Sequence, residues 1–422
     1  MHVQRPTPPV MIVGLFLILI GLTVNVWFLA RFFSPDGQLI LLTRILIWLV
    51  DLGLIGTGIF LLVVKSFSKL FMVYASLLVS LLLVNAGLSH YFDVSKELFI
   101  PNSRGTGSYR LKKDLNIQKK IGAATYIFRT NSLGMPWKEV NQHNPEKKTR
   151  VAFVGDSFTF GCCATRVENS FVGIFDRKIN PEYEALNFGV VGYGLADEKL
   201  LIQEEVLSFR PRYLFLMLYN GNDFSDTFLS LDAEGKLLGL KERSPDNRKE
   251  IPSRFTGIQR RARPITTTAT FRVVNGLLTT PEDPRKMFGD PNRFDSWAFW
   301  SRRSYPPVGL KAKDLSLQVL SKILELCKRN NIQICIVTIP YVNQVYAGQM
   351  TTGEIDFRLP QKYVEEFSRT HSVPYLDLLP ALRSFAQNSD AVIYVPEDGH
   401  FNDEGHKLVG NLLLNYFAEV VR

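Results

Sequence analysis

The spacing of apolar positions changes character along this chain. From Pro8 to Ala30 they run almost without interruption and without a single charge, VMIVGLFLILIGLTVNVWFLA, which supplies the roughly 20 apolar residues that a bilayer-crossing helix needs. A second run covers Ile45 to Val64 with one acid, Asp51, inside it, and a third covers Leu70 to Tyr91 with no charge. The pattern predicts three transmembrane helices. A cleaved signal peptide fits the first run less well, because two further runs follow and no small-residue cleavage pattern ends it. Asp51 has no basic or histidine neighbour in sequence and reads as a helix-interface residue.

From Lys147 onward short β-rich runs alternate with helical periodicity. RVAFVGDS, YEALNFGVVG, YLFLMLYNGND, IQICIVTIP and VPYLDLL read as strands. Between and after them, ENSFVGIFDRKI, LADEKLLIQEEVLSF, LSLQVLSKILELCKRN, QKYVEEFSRT and NDEGHKLVGNLLLNYFAEVV read as helices. Strands apolar on both faces need cover on both sides, so the prediction is an α/β domain with a doubly wound parallel sheet. In such sheets ligands bind beyond the carboxyl ends of the strands.

Composition refines this picture. With 422 residues, 46% of them hydrophobic, the chain has enough apolar material for a sizeable core and is not largely disordered. The expected organisation is a membrane anchor over 1–92, a linker and lead-in over 93–146, and an α/β domain over 147–422 with an insertion at about 227–310. Arg5, Lys65 and Lys69 favour an amino terminus in the cytoplasm, against the weaker pull of Arg31 and Arg44, which leaves the α/β domain outside it. The net charge of +9 gathers between Arg104 and Lys120 and between Arg243 and Arg303. That reads as a solvated face near anionic headgroups, with an acidic envelope polymer as the sharper alternative. No nucleic-acid motif accompanies the charge, so nucleic acid is not an expected partner. Cys162 and Cys163 are adjacent and ill placed for a bridge, Cys327 and Cys335 sit in buried patterns, and no zinc spacing exists.

Chemistry concentrates at four chain positions that follow strands or precede the last helix. Gly155, Asp156 and Ser157 follow the first strand; Asn187, Gly189 and Gly192 lie in and after the second; Asn220, Gly221, Asn222 and Asp223 follow the third; Asp398 and His400 precede the final helix. A serine hydroxyl becomes a nucleophile when an imidazole takes its proton and an acid fixes the other ring nitrogen. Ser157, His400 and Asp398 supply those roles. Backbone N–H groups of Ser157 and Gly192, with the Asn222 amide, offer donors for an oxyanion.

With these residues in view, Lys147 to Arg422 resembles the SGNH (GDSL-like) hydrolase family, of a membrane-anchored type. The resemblance implies Ser157 in GDSFTFG as nucleophile, Gly192 in NFGVVGYG and Asn222 in GND as oxyanion residues, and His400 with Asn402 and Gly405 as the last block. It implies a flavodoxin-like, doubly wound parallel sheet. The family commonly places its acid three residues before the histidine, where this chain has Glu397; Asp398 stands two before and is the acid favoured here. Asp156, Asn220 and Asp223 read as turn and network residues, and His406 as a solvated residue of the last helix. YIFRTNSLGM resembles the strand-and-turn lead-in of anchored members. A phosphate-binding reading of GDSFTFG fails because no Gly-Lys-Ser/Thr follows.

The long Thr227–Gly309 interval is expected to shape a substrate groove; its Trp297 and Trp300 read as core packing or as sugar-stacking platforms. The resulting expectation is a membrane-anchored serine esterase or O-acyltransferase, needing no cofactor and no metal. Its partners would be the membrane and an ester-bearing, most simply acetylated, glycan or a lipid-linked substrate of the cell envelope. A non-catalytic glycan-binding or assembly protein on a hydrolase fold is the alternative, and a lipase reaching bilayer lipids is a third reading.

Overall fold

In the computed structural model, the described residues are 8–23, 41–63, 98–101, 108–121, 124–239, 242–243, 291–294, 296–346, 353–396 and 398–420. They fall into two compact units, one holding the described residues up to 63 and the other those from 98 on.

The first unit is a pair of packed helices, α1 (Pro8–Thr23) and α2 (Leu41–Val63). They approach closely at two glycines: a Cβ on Gly58 would lie 2.5 Å from the carbonyl oxygen of Gly14. Asp51 is among the buried residues, as expected of an interface position. The expectation of three spans is not met among the described residues, where no helix is long and apolar enough to cross a membrane. Helix α1 is described as far as Thr23, with 24–30 outside the described residues, and α2 includes Arg44 ahead of Ile45. The third run, 70–91, lies outside the described residues.

The second unit opens with two antiparallel pairs: β1 (Phe99–Pro101) with β2 (Tyr109–Leu111), then the hairpin β3 (Asn116–Ile121) and β4 (Ala124–Arg129). After β4 the Asn131 side chain accepts from the N–H groups of Leu133 and Met135, both at 2.9 Å, and closes the turn that the TNSLG sequence announces.

The main sheet is wholly parallel. Its strands are β5 (Thr149–Gly155), β6 (Tyr183–Gly189), β7 (Tyr213–Tyr219), β8 (Gln333–Ile339) and β9 (Tyr375–Asp377), in the spatial order β6-β5-β7-β8-β9. Along each strand, alternate residues reach opposite faces. Val151, Phe153, Phe215 and Val337 join Phe171, Phe175 and Phe417 in one core layer. The intervening Ala152, Val154, Leu214 and Leu216 are equally buried, which is why these strands read as continuous apolar runs. Each such large side chain contributes about 1.5–3 kcal/mol by leaving water.

The helices of this unit are α3 (Ser157–Phe160), α4 (Phe171–Lys178), α5 (Leu195–Glu204), α6 (Asp223–Ser230), α7 (Pro307–Arg329), α8 (Val342–Tyr346), α9 (Leu359–Thr370), α10 (Leu379–Asn388) and α11 (Asp403–Val420). Helix α11 packs on α4, while α5, α6 and α7 pack together. Two departures from the sequence pattern stand out. The helix expected through Phe209 is α-helical only to Glu204, after which Val206–Phe209 tighten into a 3-10 turn that seats Val206 and Phe209 in the core. Helix α10 is absent from the sequence expectation, although Pro380 in its first turn is a regular start signal. Most of the expected insertion, 244–290, lies outside the described residues.

Candidate active site

Sheet register assembles three of the four sequence blocks. Strand β5 is flanked by β6 and β7, and Gly155 is in register with Gly189 on one side and Met217 on the other. The segments that leave these three strands therefore emerge side by side, at the point where the strand order reverses. Ser157 begins α3 there. Asp156 caps the helix, its Oδ1 accepting from Phe158 N–H at 2.9 Å. Gly189 backs directly onto Phe160, where a Cβ would lie 2.1 Å from the backbone nitrogen. Asn187 donates its amide to Thr159 O at 2.9 Å and accepts from Gly189 N–H, so it holds the turn together.

The fourth block arrives from the loop between α10 and α11. Val395 N–H donates to His400 O at 2.8 Å, Tyr394 bridges Phe401, and the buried Phe401 ring meets Phe158 edge-on at 5.0 Å. Phe158, next to the serine, also lies against the His400 ring at 4.7 Å. Asn402 Oδ1 accepts from Gly405 N–H at 3.0 Å at the start of α11.

These constraints bring His400 Nε2 to 2.7 Å from Ser157 Oγ. On the other ring nitrogen, Nδ1 is bonded to Asp398 Oδ1, which also accepts from His400 N–H at 3.2 Å and from Cys163 Sγ at 3.4 Å. Glu397 lies outside the described residues. Ser157 is largely buried, 7% exposed. Burial alone lowers the His400 pKa, but the Asp398 hydrogen bond and charge, with the Asp156 charge, outweigh it and leave the imidazole above its ordinary value. Burial pushes the Asp156 carboxyl up to about 6, against the pull of Phe158 N–H and His400.

The candidate oxyanion residues sit on the adjoining loops. Gly192 has φ +77°, a left-handed conformation that disfavours a side chain. Asn222 Nδ2 donates one hydrogen to Asp226 Oδ2 at 2.7 Å, leaving its second. Asp223 accepts from Tyr219 N–H at 2.7 Å, a network role.

Some sequence expectations need correction. His406 is not solvated: it is fully buried, Nδ1 accepting from Phe171 N–H at 3.3 Å and Nε2 facing Cys162 O at 3.2 Å. Burial pulls its pKa down to about 4, so it stays neutral with the proton on Nε2. Trp300, by contrast, follows the core-packing reading: it is fully buried, donates to Ser225 Oγ at 3.0 Å and packs among Phe224, Phe294, Phe299 and Tyr305, which leaves no face for a sugar. Trp297 is partly buried and donates to Asn343 Oδ1 at 2.9 Å.

Other residues at the site carry no clear mark in the sequence. Glu198, in the first turn of α5, is fully buried, and neither carboxylate oxygen has a partner among the described residues. Burial, and the nearby charges of Asp156 and Asp197, push its pKa well up, as burial and Asp156 do for Asp223. Cys163 abuts Asp398, and its adjacency to the serine block is its only signal. Ligating atoms of Cys163, Asp398 and His400 lie within 4.8 Å of one another. Both His400 nitrogens are committed, to Ser157 and Asp398, and Cys163, whose thiol burial raises to about 12, donates to Asp398, so the three groups form a hydrogen-bonded chain.

Residues 153–408, more than half of the chain, match the GDSL-like Lipase/Acylhydrolase family, and the chain belongs to it. The protein is an SGNH-type esterase or acylhydrolase, with a five-stranded parallel sheet and a serine–histidine contact at its carboxyl end. No curated protein matches the sequence. Similar solved structures include a two-domain esterase (CEX) active on acetylated mannans, at 12% identity and TM-score 0.35, covering 65% of this chain and 50% of that one. Axe2, an acetylxylan esterase from Geobacillus stearothermophilus, is similar at 12% identity and TM-score 0.36, over 63% of this chain and 93% of its own. A putative lipolytic protein of the G-D-S-L family from Desulfitobacterium hafniense DCB-2 is similar at 16% identity and TM-score 0.33, over 64% and 99%.

Proposed function

We propose that this protein is a membrane-anchored serine esterase or O-acyltransferase that carries an acyl group on Ser157, with His400 as proton carrier and Asp398 as the orienting acid. The 2.7 Å contact between Ser157 Oγ and His400 Nε2 carries the reading. Ser157 Oγ attacks the acyl carbonyl carbon as its proton passes to Nε2. The resulting oxyanion is held by Ser157 N–H, Gly192 N–H and the free Asn222 amide hydrogen, each donor worth about 3 kcal/mol. Collapse expels the alcohol, which takes the proton from His400. Water or an acceptor hydroxyl then gives its proton to His400 and attacks the acyl-enzyme, and which of the two arrives separates hydrolysis from transfer.

The acyl group we propose is acetyl, borne by a glycan or lipid-linked substrate of the cell envelope, on the family resemblance. The anchor is 1–92, followed by a lead-in and the α/β domain from 147, with the domain outside the cytoplasm. Supporting this are the charge-free run from Pro8 to Ala30 and the placement of Arg5, Lys65 and Lys69. Full-length protein is expected to release p-nitrophenol from p-nitrophenyl acetate, and Ser157→Ala to lose that activity; equal activity in the variant would refute the assignment. Retention in the membrane pellet after alkaline carbonate washing tests the anchor, and full release would remove it.

A further inference from the structure

Tyr109 lies far from the serine in sequence, in the lead-in before the α/β domain, yet its side chain ends at the second block. Its Oη donates to the carbonyl oxygen of Val191 at 2.9 Å. That carbonyl belongs to the same peptide unit as the N–H of Gly192. In a trans peptide the C=O and N–H point in opposite directions, so a donor on Val191 O fixes where Gly192 N–H aims. It also polarises the amide and makes that N–H a stronger donor. At φ +77° Gly192 has little steric restraint of its own, so its peptide plane needs an external hold.

The phenol is itself held from several sides. Its ring packs against Phe99 at 4.6 Å and Tyr193 at 5.2 Å, with the Arg243 guanidinium 5.2 Å above it. Arg243 is locked by two bonds to the fully buried Asp197, at 2.6 and 2.8 Å, and Asp197 also accepts from Ser108 at 2.9 Å. Tyr193 Oη donates to Tyr109 O and accepts from Arg110 at 2.7 Å. Arg110 is clamped in turn by Glu204 and Glu205 on and after α5. Three distant segments thus converge on one phenol, and burial keeps that phenol protonated.

We propose that Tyr109 is a positioning residue for the oxyanion site: through Val191 O it orients Gly192 N–H, so that the lead-in strand completes the catalytic machinery. This rests on the reading of Gly192 as an oxyanion donor.

The test uses full-length protein labelled with 15N-glycine, with methaneboronic acid as the Ser157-directed transition-state analogue. A downfield shift of the Gly192 amide proton on boronate binding is expected. Tyr109→Phe, which keeps the ring, is expected to lower kcat for p-nitrophenyl acetate about tenfold with KM within about twofold, less than the loss for deleting a donor. It should also reduce the Gly192 shift. Phe99→Leu, which disturbs the same packing without touching the carbonyl, is expected to leave kcat within about twofold. A normal Gly192 shift with unchanged kcat in Tyr109→Phe would overturn the role of Tyr109 while leaving the oxyanion reading intact. An equal loss in Phe99→Leu would reduce the effect to packing and overturn it likewise. No Gly192 shift in the unsubstituted protein would overturn the oxyanion reading itself, and this proposal with it.

Discussion

Ser157 Oγ stands 2.7 Å from His400 Nε2, though the two residues are 243 positions apart in sequence. The serine is delivered by the strand that two neighbours flank, and the histidine by a loop whose Phe401 is buried against Phe158 and Tyr394. The contact is therefore a product of the whole sheet and its last helix, and it collapses if either is displaced.

The pH dependence of acylation follows from the partners of His400. The imidazole works as a base only when neutral, and the Asp398 bond holds its pKa above the ordinary value. The rise of kcat/KM with pH is expected to be centred above about 6.5. Asp398→Asn removes the charge that raises the pKa, so the rise should move to lower pH while kcat falls about 10³-fold or more. Stopped-flow rates of acylation across pH check both; an unmoved profile in Asp398→Asn would assign the acid elsewhere.

Glu198 gives a stability prediction of opposite character. Its folded pKa is raised, so the native state keeps a proton that the unfolded chain releases once pH passes the ordinary carboxylate value. Stability is then fully present on the acid side and falls as pH climbs toward the folded pKa. Glu198→Gln, a neutral isostere, is expected to flatten that fall, and to be the more stable protein by about pH 9 and close to equal by about pH 4. Urea unfolding at several pH values measures it. A pH-independent difference between the two proteins would contradict the buried neutral acid.

Trp300 separates core packing from ligand stacking. Removing a fully buried indole leaves a cavity and takes one donor from Ser225 Oγ, which keeps its own bond to Phe294 O, so Trp300→Ala is expected to cost about 3–5 kcal/mol of stability. Unfolding curves report this directly. A variant of undiminished stability that had lost glycan binding would return Trp300 to the substrate groove.

Much of this architecture is legible in the sequence, for definite reasons. The first strand from Val151 to Val154 and YLFLMLY throughout carry no polar alternation because both faces of a central parallel strand are covered, whereas a strand with one wet face would alternate with polar residues. The serine block, GND and the final histidine each sit beside a glycine or turn residue that breaks an apolar pattern. His406 reads as solvated because one polar residue on an amphipathic helix carries no sign of burial; its partners, Phe171 and Cys162, lie some 240 positions away. Separation in sequence likewise hides the grip of Tyr109 on Val191 and of Arg243 on Asp197, since pairing across segments leaves no local periodicity. Trp300 reads as a core residue with a stacking platform as the rival, because aromatic residues in a loop-rich interval mark binding sites and minor cores alike.

The most direct measurement is the mass of the Ser157 peptide, taken after rapid acid quench of full-length protein turning over p-nitrophenyl acetate. One acetyl group on the peptide that carries Ser157 is expected, formed and lost at rates that match turnover, and absent from Ser157→Ala and His400→Ala. Turnover without that adduct, or an adduct that persists in His400→Ala at the unsubstituted rate, would contradict a serine nucleophile activated by His400.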